Sequence, residues 1–334
     1  LIPEWSQRIM SKDSLHKQEF LKKIYKSYAT LYISITNRCN IKCRHCSDIE
    51  MDLPDAKQAD VIEWIKQIAN SKSIKRVSFL GGEPFLCFNE LINYIKFANS
   101  LGLLTTIVTN GYWAQTEEKV DSILRELAGL DSMIVSSDKY HLEFVDKKIV
   151  DNLINGCIKN NIDASINITA ANKNEGEEIK SLYMNSYSKS VFINISPMFF
   201  YGAAKNLEIE KFNYFYQPQL LKDYCEIRSH TIDCEGKIYA CCAAVLGNLT
   251  NFLYLGDLAV ESYETIIERR DKSLLFHFYD NYGPSGLAKI ISESPFKDNF
   301  CEMSFSHGCE LCRWVLNNKN MSNYVLQELE KIEN

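Results

Sequence analysis

The stretch LYISITNRCNIKCRHC, residues 31–46, decides how this chain is read. Residues 31–36 form a short β-branched and aromatic run, the signature of a strand. Directly behind it stand three thiols, Cys39, Cys43 and Cys46, spaced C-x3-C-x2-C. Three cysteines on one short loop can wrap three corners of a cubane iron-sulfur cluster and leave the fourth iron without a protein ligand. Zinc is the alternative. Structural zinc sites usually close with four ligands in two separated pairs, and His45 lies between two thiols where it would strain such a site.

Working outward, similar short runs recur at 75–80, 103–109, 132–136, 163–169 and 191–196, with amphipathic helical stretches between them at 58–70, 88–99, 116–129 and 146–160. Alternating strands and helices imply repeated βα units and a parallel sheet. Six units are too few for a closed eight-stranded barrel and suit an open one, so the expected class is α/β, a partial (β/α)6 barrel. Reactive residues in such folds sit at the carboxyl edge of the sheet. Beyond about residue 205 the repeat stops. A hairpin over HTIDCEGKIYACCA, turning near Glu235 and Gly236, is followed by helices and a cysteine-rich stretch. The expected division is an extension over 1–29, the barrel over 30–209 and a smaller domain over 210–334 packed directly on it.

Composition bounds the function. The 334 residues carry 37 Lys and Arg against 43 Asp and Glu, a net charge of −6. That balance argues against non-specific binding of nucleic acid or anionic lipid, which needs a basic face. No run of about 18 apolar residues and no basic segment followed by an apolar core occurs, so neither a membrane span nor a signal peptide is expected. A cytoplasmic location follows as the expectation. Twelve cysteines are the outlier. A chain of this length needs no disulfides to hold its core, and clustered thiols in a reducing compartment point to metal or redox chemistry.

The second strand ends in Leu80-Gly81-Gly82-Glu83-Pro84, again at the carboxyl edge. Two glycines allow a backbone to approach a ligand closely, and Glu83 can pair with an ammonium group; a tight turn is the plain alternative. The C-x3-C-x2-C loop after strand one together with GGEP after strand two resembles the radical S-adenosylmethionine enzymes. The resemblance implies that Cys39, Cys43 and Cys46 hold a 4Fe-4S cluster whose open iron is chelated by S-adenosyl-L-methionine. It further implies that His45 flanks the adenine and that Gly81, Gly82 and Glu83 bind the methionine amino group. Asn110 and Ser136, at the ends of strands three and four, lie where that family contacts the ribose and carboxylate.

A second set of thiols is separated into two pairs, Cys225 with Cys241 (C-x15-C) and Cys309 with Cys312 (C-x2-C). Two separated pairs are what a second four-thiolate site requires, for iron-sulfur or for zinc. The arrangement looks like the shortened auxiliary-cluster domain called Twitch, related to the longer SPASM domain, and implies one auxiliary 4Fe-4S cluster. Cys242 is adjacent to a proposed ligand. If residues 237–242 form a strand, Cys241 and Cys242 point to opposite faces, and Cys242 turns either to the barrel mouth or into a buried structural position.

A closer likeness joins Thr109-Asn110-Gly111-Tyr112-Trp113, the run 137–145, Gly202-Ala203-Ala204-Lys205 and the run 236–242. In that order and spacing they resemble the radical peptide epimerases that make epipeptides. The resemblance implies a ribosomally made peptide as substrate, conversion of L- to D-residues, and Cys242 as the hydrogen-atom donor. A reductant such as flavodoxin or ferredoxin is implied, with neither nucleic acid nor membrane as partner. Asp138, Tyr140 and His141 follow strand four and are expected to edge the substrate cavity, Asp138 positioning a peptide amide; loop packing is the alternative for the two rings. The competing enzyme class is a dehydrogenase or crosslinking maturase forming a thioether or carbon-carbon bond. The residues before 30 are expected to be too few for a winged-helix peptide-recognition domain.

Overall fold

The computed structural model describes residues 30–46, 54–71, 73–187, 190–208, 229–242 and 253–333. Six strands, β1 (Thr30–Thr36), β2 (Arg76–Gly81), β3 (Leu104–Thr109), β4 (Ser132–Ser136), β5 (Asp163–Ala170) and β6 (Phe192–Pro197), pair parallel, each with the next in sequence. Helices α1 (Gln58–Asn70), α2 (Phe88–Ser100), α3 (Glu117–Glu126), α4 (Lys147–Lys159) and α5 (Lys173–Tyr187) connect them. The spatial order follows the chain order and the sheet does not close on itself, as the six-unit reading expected.

The helices form for local reasons. In α1 the buried residues Val61, Trp64, Ile65 and Ile68 fall at i, i+3, i+4 and i+7, one apolar stripe. Thr116 caps α3 by accepting from Lys119 N–H, and Asp146 caps α4 by accepting from Lys148 N–H. These stripes cover one face of the sheet, where Leu31, Ile33, Val77, Phe79, Ile107, Met133, Val135, Ile166 and Ile168 are buried. Each such side chain contributes about 1.5–3 kcal/mol on leaving water. The alternate residues of the same strands turn to the lumen, where polar Ser34, Ser78, Thr106, Ser132, Asn167, Asn194 and Ser196 stand among apolar Leu80, Val108 and Ile134.

The later strands, β7 (His230–Ile232), β8 (Lys237–Tyr239) and β9 (Tyr254–Asp257), extend the sheet past β1. β7 runs parallel to β1, and β7–β8 is the expected hairpin, with Gly236 in the left-handed region at its turn (φ 94°). The thiol-rich half is therefore joined to the barrel by a shared sheet edge, because an unpaired β1 ladder would otherwise stand open. Helices α6 (Tyr263–Asp271), α7 (Leu274–Ser292, broken at Gly283), α8 (Lys297–Glu302), α9 (Gly308–Asn317) and α10 (Lys319–Glu333) complete it. No helix among the described residues is long and apolar enough to cross a membrane.

Candidate active site

The three-thiol loop leaves β1 at Thr36 and is held at both ends. Thr36 Oγ1 donates to Asp55 Oδ1 at 2.6 Å and accepts from Arg38 N–H at 3.0 Å, while the Arg38 guanidinium grips both Asp55 oxygens. Opposite, Gly82 N–H donates to Thr36 O at 2.8 Å and Glu83 N–H to Arg38 O at 2.9 Å. A Cβ at Gly81 would fall 2.1 Å from Thr36 O, and one at Gly82 2.2 Å from Arg38 O. What comes close to these glycines is thus the chain's own loop entry, in addition to any ligand.

Cys39 and Cys46 are exposed and Cys43 is buried beside Tyr140, Ala171, Met198 and Ala204. Cys46 N–H donates to Cys43 O at 3.1 Å, a turn that brings the last two thiols together. Burial, followed by the nearby Asp138 carboxylate, pushes the Cys43 thiol well above its ordinary range. Cys39 is pushed up mainly by burial as well. Thiols in this state ionise when a cation binds them, the coupling expected of metal ligands.

At the neighbouring strand ends, Glu83 is fully buried. Its Oε1 accepts from Phe85 N–H at 3.1 Å and Thr109 Oγ1 at 2.8 Å, and Oε2 accepts from Asn110 N–H at 2.8 Å. Burial raises it to about 7 in spite of these bonds. Glu83 thereby ties β2 to β3. Asn110 Nδ2 donates to Asn40 Oδ1 at 3.0 Å and lies 3.8 Å from Cys39 Sγ, placing Asn110 against the thiol loop. Ser136 is half-buried at the end of β4, in register with Asn167.

Asp138 is 1% exposed, and its Oδ1 accepts from Tyr140 N–H (3.0 Å) and His141 N–H (3.1 Å). Its Oδ2 lies 2.8 Å from His141 Nδ1 and 3.2 Å from His45 Nε2. Burial alone would raise this carboxyl, but His141 and His45 outweigh it and hold it well below the usual carboxylate range. So placed, Asp138 holds two imidazoles, and both of its oxygens are occupied by protein partners. Tyr140 is buried and stacks on the His45 ring at 4.8 Å and 23°; His141 meets His45 edge-on at 5.1 Å. His45 Nδ1 is buried without a partner. Ligand atoms of Cys43, His45 and His141 lie within 4.8 Å of one another, a mixed set zinc could use. Asp138 takes one nitrogen of each ring and leaves the other for a ligand, while the three loop thiols are the soft donors suited to an iron-sulfur cluster.

The second set comes from distant segments of the chain. β8 ends at Tyr239, so the strand expected through Cys242 stops three residues short. Beyond it Ala240 N–H still donates to Leu253 O at 2.8 Å, and Thr231 Oγ1 donates to Cys241 O at 2.8 Å. Cys241 is buried and Cys242 half-buried. Cys242 packs, half-buried, against the hydrophobic core, and Tyr32, between the outward Leu31 and Ile33 of β1, has its hydroxyl raised by burial and then by the Cys242 charge. Cys309 and Cys312 stand on α9, capped by His307 Nδ1 accepting from Cys309 N–H at 3.1 Å. Tyr279 Oη lies 3.4 Å from Cys312 Sγ. Cys309, Cys241 and Cys242 all act on the Tyr201 hydroxyl. Cys225 lies outside the described residues.

Some lining residues escape motif reading. Arg76 donates to Thr106 Oγ1 (2.9 Å) and Ser132 Oγ (2.6 Å) across the lumen face. Asn194 Nδ2 donates to Asn167 Oδ1 at 2.9 Å, which also accepts from Ser196 Oγ at 3.0 Å. Their signal is the polar residue at every second position of INIT and INIS, which marks a strand face away from the core. Cys234 is a further buried thiol, 3.8 Å from Ser34 Oγ.

Residues 33–180 match the family model of the Radical SAM superfamily. Over nearly its whole length it is similar to a Bacillus subtilis (strain 168) protein described as putative peptide biosynthesis protein YydG. The two are 26% identical over 316 residues, 91% of this chain and 97% of that one. A shorter stretch is 35% identical over 117 residues to a probable GTP 3',8-cyclase of Methanothermobacter marburgensis, covering 33% of this chain and 35% of that one. Among solved structures, anSMEcpe with bound AdoMet aligns at a TM-score of 0.55 and 13% identity, over 91% of this chain and 99% of that chain. Streptococcus suis SuiB bound to precursor peptide SuiA aligns at 0.50 and 16%, over 86% and 79%. At these identities the two structures establish the shared fold.

Proposed function

We propose that the protein is a radical S-adenosylmethionine peptide epimerase that converts L-residues of a ribosomally made peptide to D-residues. The observation that carries the reading is Cys242, half-buried and next in the chain to Cys241 of the second thiol set. The near full-length likeness to a putative peptide biosynthesis protein supports a peptide substrate.

In this reading Cys39, Cys43 and Cys46 hold a 4Fe-4S cluster, and Cys225, Cys241, Cys309 and Cys312 hold a second. The first cluster, with S-adenosylmethionine, supplies a 5'-deoxyadenosyl radical that removes a Cα hydrogen atom. The protein decides the rest by placement. His45, fixed by Asp138 and Tyr140, presents its ring to the adenine, and Asn110 and Ser136 line the same edge as contacts for ribose and carboxylate. The Gly81-Gly82 backbone receives the methionine amino group, with Glu83 bracing β3 behind it. Tyr140 and His141 border the peptide, and the polar lumen offers donors and acceptors to its backbone. The planar Cα accepts a hydrogen atom from the Cys242 thiol on the face opposite the one that lost it, which inverts the centre and would leave a Cys242 thiyl radical that one electron and one proton return to the thiol. A flavodoxin or ferredoxin is the proposed electron source.

Anaerobic turnover in heavy water tests this, using cluster-reconstituted enzyme and short peptides encoded beside its gene. Gain of one deuterium with a D-residue at the same position is expected. Loss of two hydrogens without a D-residue moves the enzyme to the oxidative dehydrogenase or crosslinking class and returns Cys242 to a structural role.

A further inference from the structure

Tyr201 follows β6 and is 3% exposed, yet among the described residues its hydroxyl has no hydrogen-bond partner. A buried hydroxyl left unpaired is destabilising, and nearly all such groups in folded proteins are satisfied by something. The ring is not loose. Arg313 Cζ lies 4.2 Å over its centroid and Phe199 stacks on it at 5.6 Å.

The segment around it is pinned between the two halves of the site. Ala203 N–H donates to Cys46 O at 2.9 Å, on the first thiol loop. Phe200 N–H donates to Glu310 Oε1 at 3.1 Å, on the helix that bears Cys309 and Cys312, and Ser306 Oγ donates to Met198 O at 3.1 Å. Cys309 stands one helical turn before Arg313, on the same face of that helix, and burial together with the charges of Cys309 and Cys241 raises the Tyr201 hydroxyl.

We propose that in the cluster-loaded protein Tyr201 donates a hydrogen bond to a thiolate sulfur of the second cysteine set, Cys309 or Cys241, and thereby raises the reduction potential of the cluster that set holds. The inference rests on reading that set as an iron-sulfur site. A metal-bound thiolate is a better acceptor than the neutral Cys242 thiol, which favours the ligands over the proposed hydrogen donor. A donor on sulfur stabilises the more negative, reduced cluster, and hydrogen bonds to the sulfurs are among the groups that set such potentials. Tyr201 is then a positioning and tuning residue, not a catalytic one.

The Cys39→Ala/Cys43→Ala/Cys46→Ala chain isolates the second set. Reconstituted anaerobically, it is assayed for iron and sulfide and titrated redox-potentiometrically by EPR, with and without Tyr201→Phe, which keeps the ring and its contacts and removes only the donor. Equal iron is expected, with the reduction equilibrium constant about tenfold lower in Tyr201→Phe, ~59 mV for one electron. Tyr263→Phe, at a buried tyrosine paired with His230, is the control and is expected to leave the potential in place. An unchanged potential at full cluster occupancy overturns the role of Tyr201 and leaves the cluster reading standing. A shift of equal size in the control also overturns it. Iron absent from the triple variant overturns the cluster reading, and this inference with it. Should Tyr201→Phe assemble no cluster, pulsed EPR of the triple variant in light and heavy water decides: an exchangeable proton coupled to the cluster supports the bond, and its absence overturns it.

Discussion

The Thr109 hydroxyl donates to the Glu83 carboxylate at 2.8 Å across the ends of two neighbouring strands, at the edge where the thiol loop sits. Glu83 ionises near 7 instead of 4.5, chiefly through burial. Because the folded-state value is raised, this group's contribution to stability is complete below about pH 4.5 and is lost as pH rises through 7; the full effect is about 3 kcal/mol. Denaturant unfolding at pH 5 and pH 8 measures it. Glu83→Gln should flatten that difference, while leaving the Asn110 N–H or Thr109 hydroxyl with a poorer partner.

Gly81→Ala and Gly82→Ala should each cost more stability than an ordinary surface change and should reduce iron loading of the first site, since the new Cβ lands 2.1 or 2.2 Å from a backbone oxygen of the loop entry. Iron content and melting temperature measured side by side check this. Full iron loading at unchanged melting temperature would contradict the packing argument.

Cys39→Ala should abolish cleavage of S-adenosylmethionine, because one corner of the three-thiol set is gone. The assay is 5'-deoxyadenosine release under reducing, anaerobic conditions. Normal output from this variant would refute the first-site assignment.

Cys242→Ala should leave iron content and cofactor cleavage intact and abolish D-residue formation. Chiral amino-acid analysis of the product peptide reads the result. Retained inversion would move the donor role to another thiol, and Cys234, 3.8 Å from Ser34 on the lumen side of β1, is next in line.

Asp138→Asn removes the carboxylate charge between two imidazoles at 2.8 and 3.2 Å. Weaker S-adenosylmethionine binding at unchanged iron content is expected, by about 10-fold or more, a loss comparable to a charge-assisted hydrogen bond. Equilibrium binding to the reconstituted enzyme checks it. Equal affinity would show that His45 keeps its orientation through Tyr140 alone.

Much of this architecture was legible before any coordinates. Strands expected at 31–36 and 132–136 occur at 30–36 and 132–136, and the helix expected at 58–70 spans those residues, because each carries its own periodic pattern and end signals. Nothing in the sequence announces β9 or α5. The four residues of β9 are too few to show a period, and the stripe of α5 is diluted by polar residues at Asn174, Glu177 and Glu178. The strand expected through Cys242 ends at Tyr239, since local alternation cannot say where a partner strand runs out.

The sequence by itself determined the order of the βα units and the thiol spacing of the first loop, along with the glycines and carboxylate that follow β2. Those properties depend on residues adjacent in the chain. Only the tertiary structure decided that Asp138 faces inward to His45 and His141, that Glu83 is spent on β3, and that Tyr201 lies between the two thiol sets with its hydroxyl unpaired. Each of these depends on which strand end lies beside which, and burial then fixes what a carboxylate or hydroxyl must bond to.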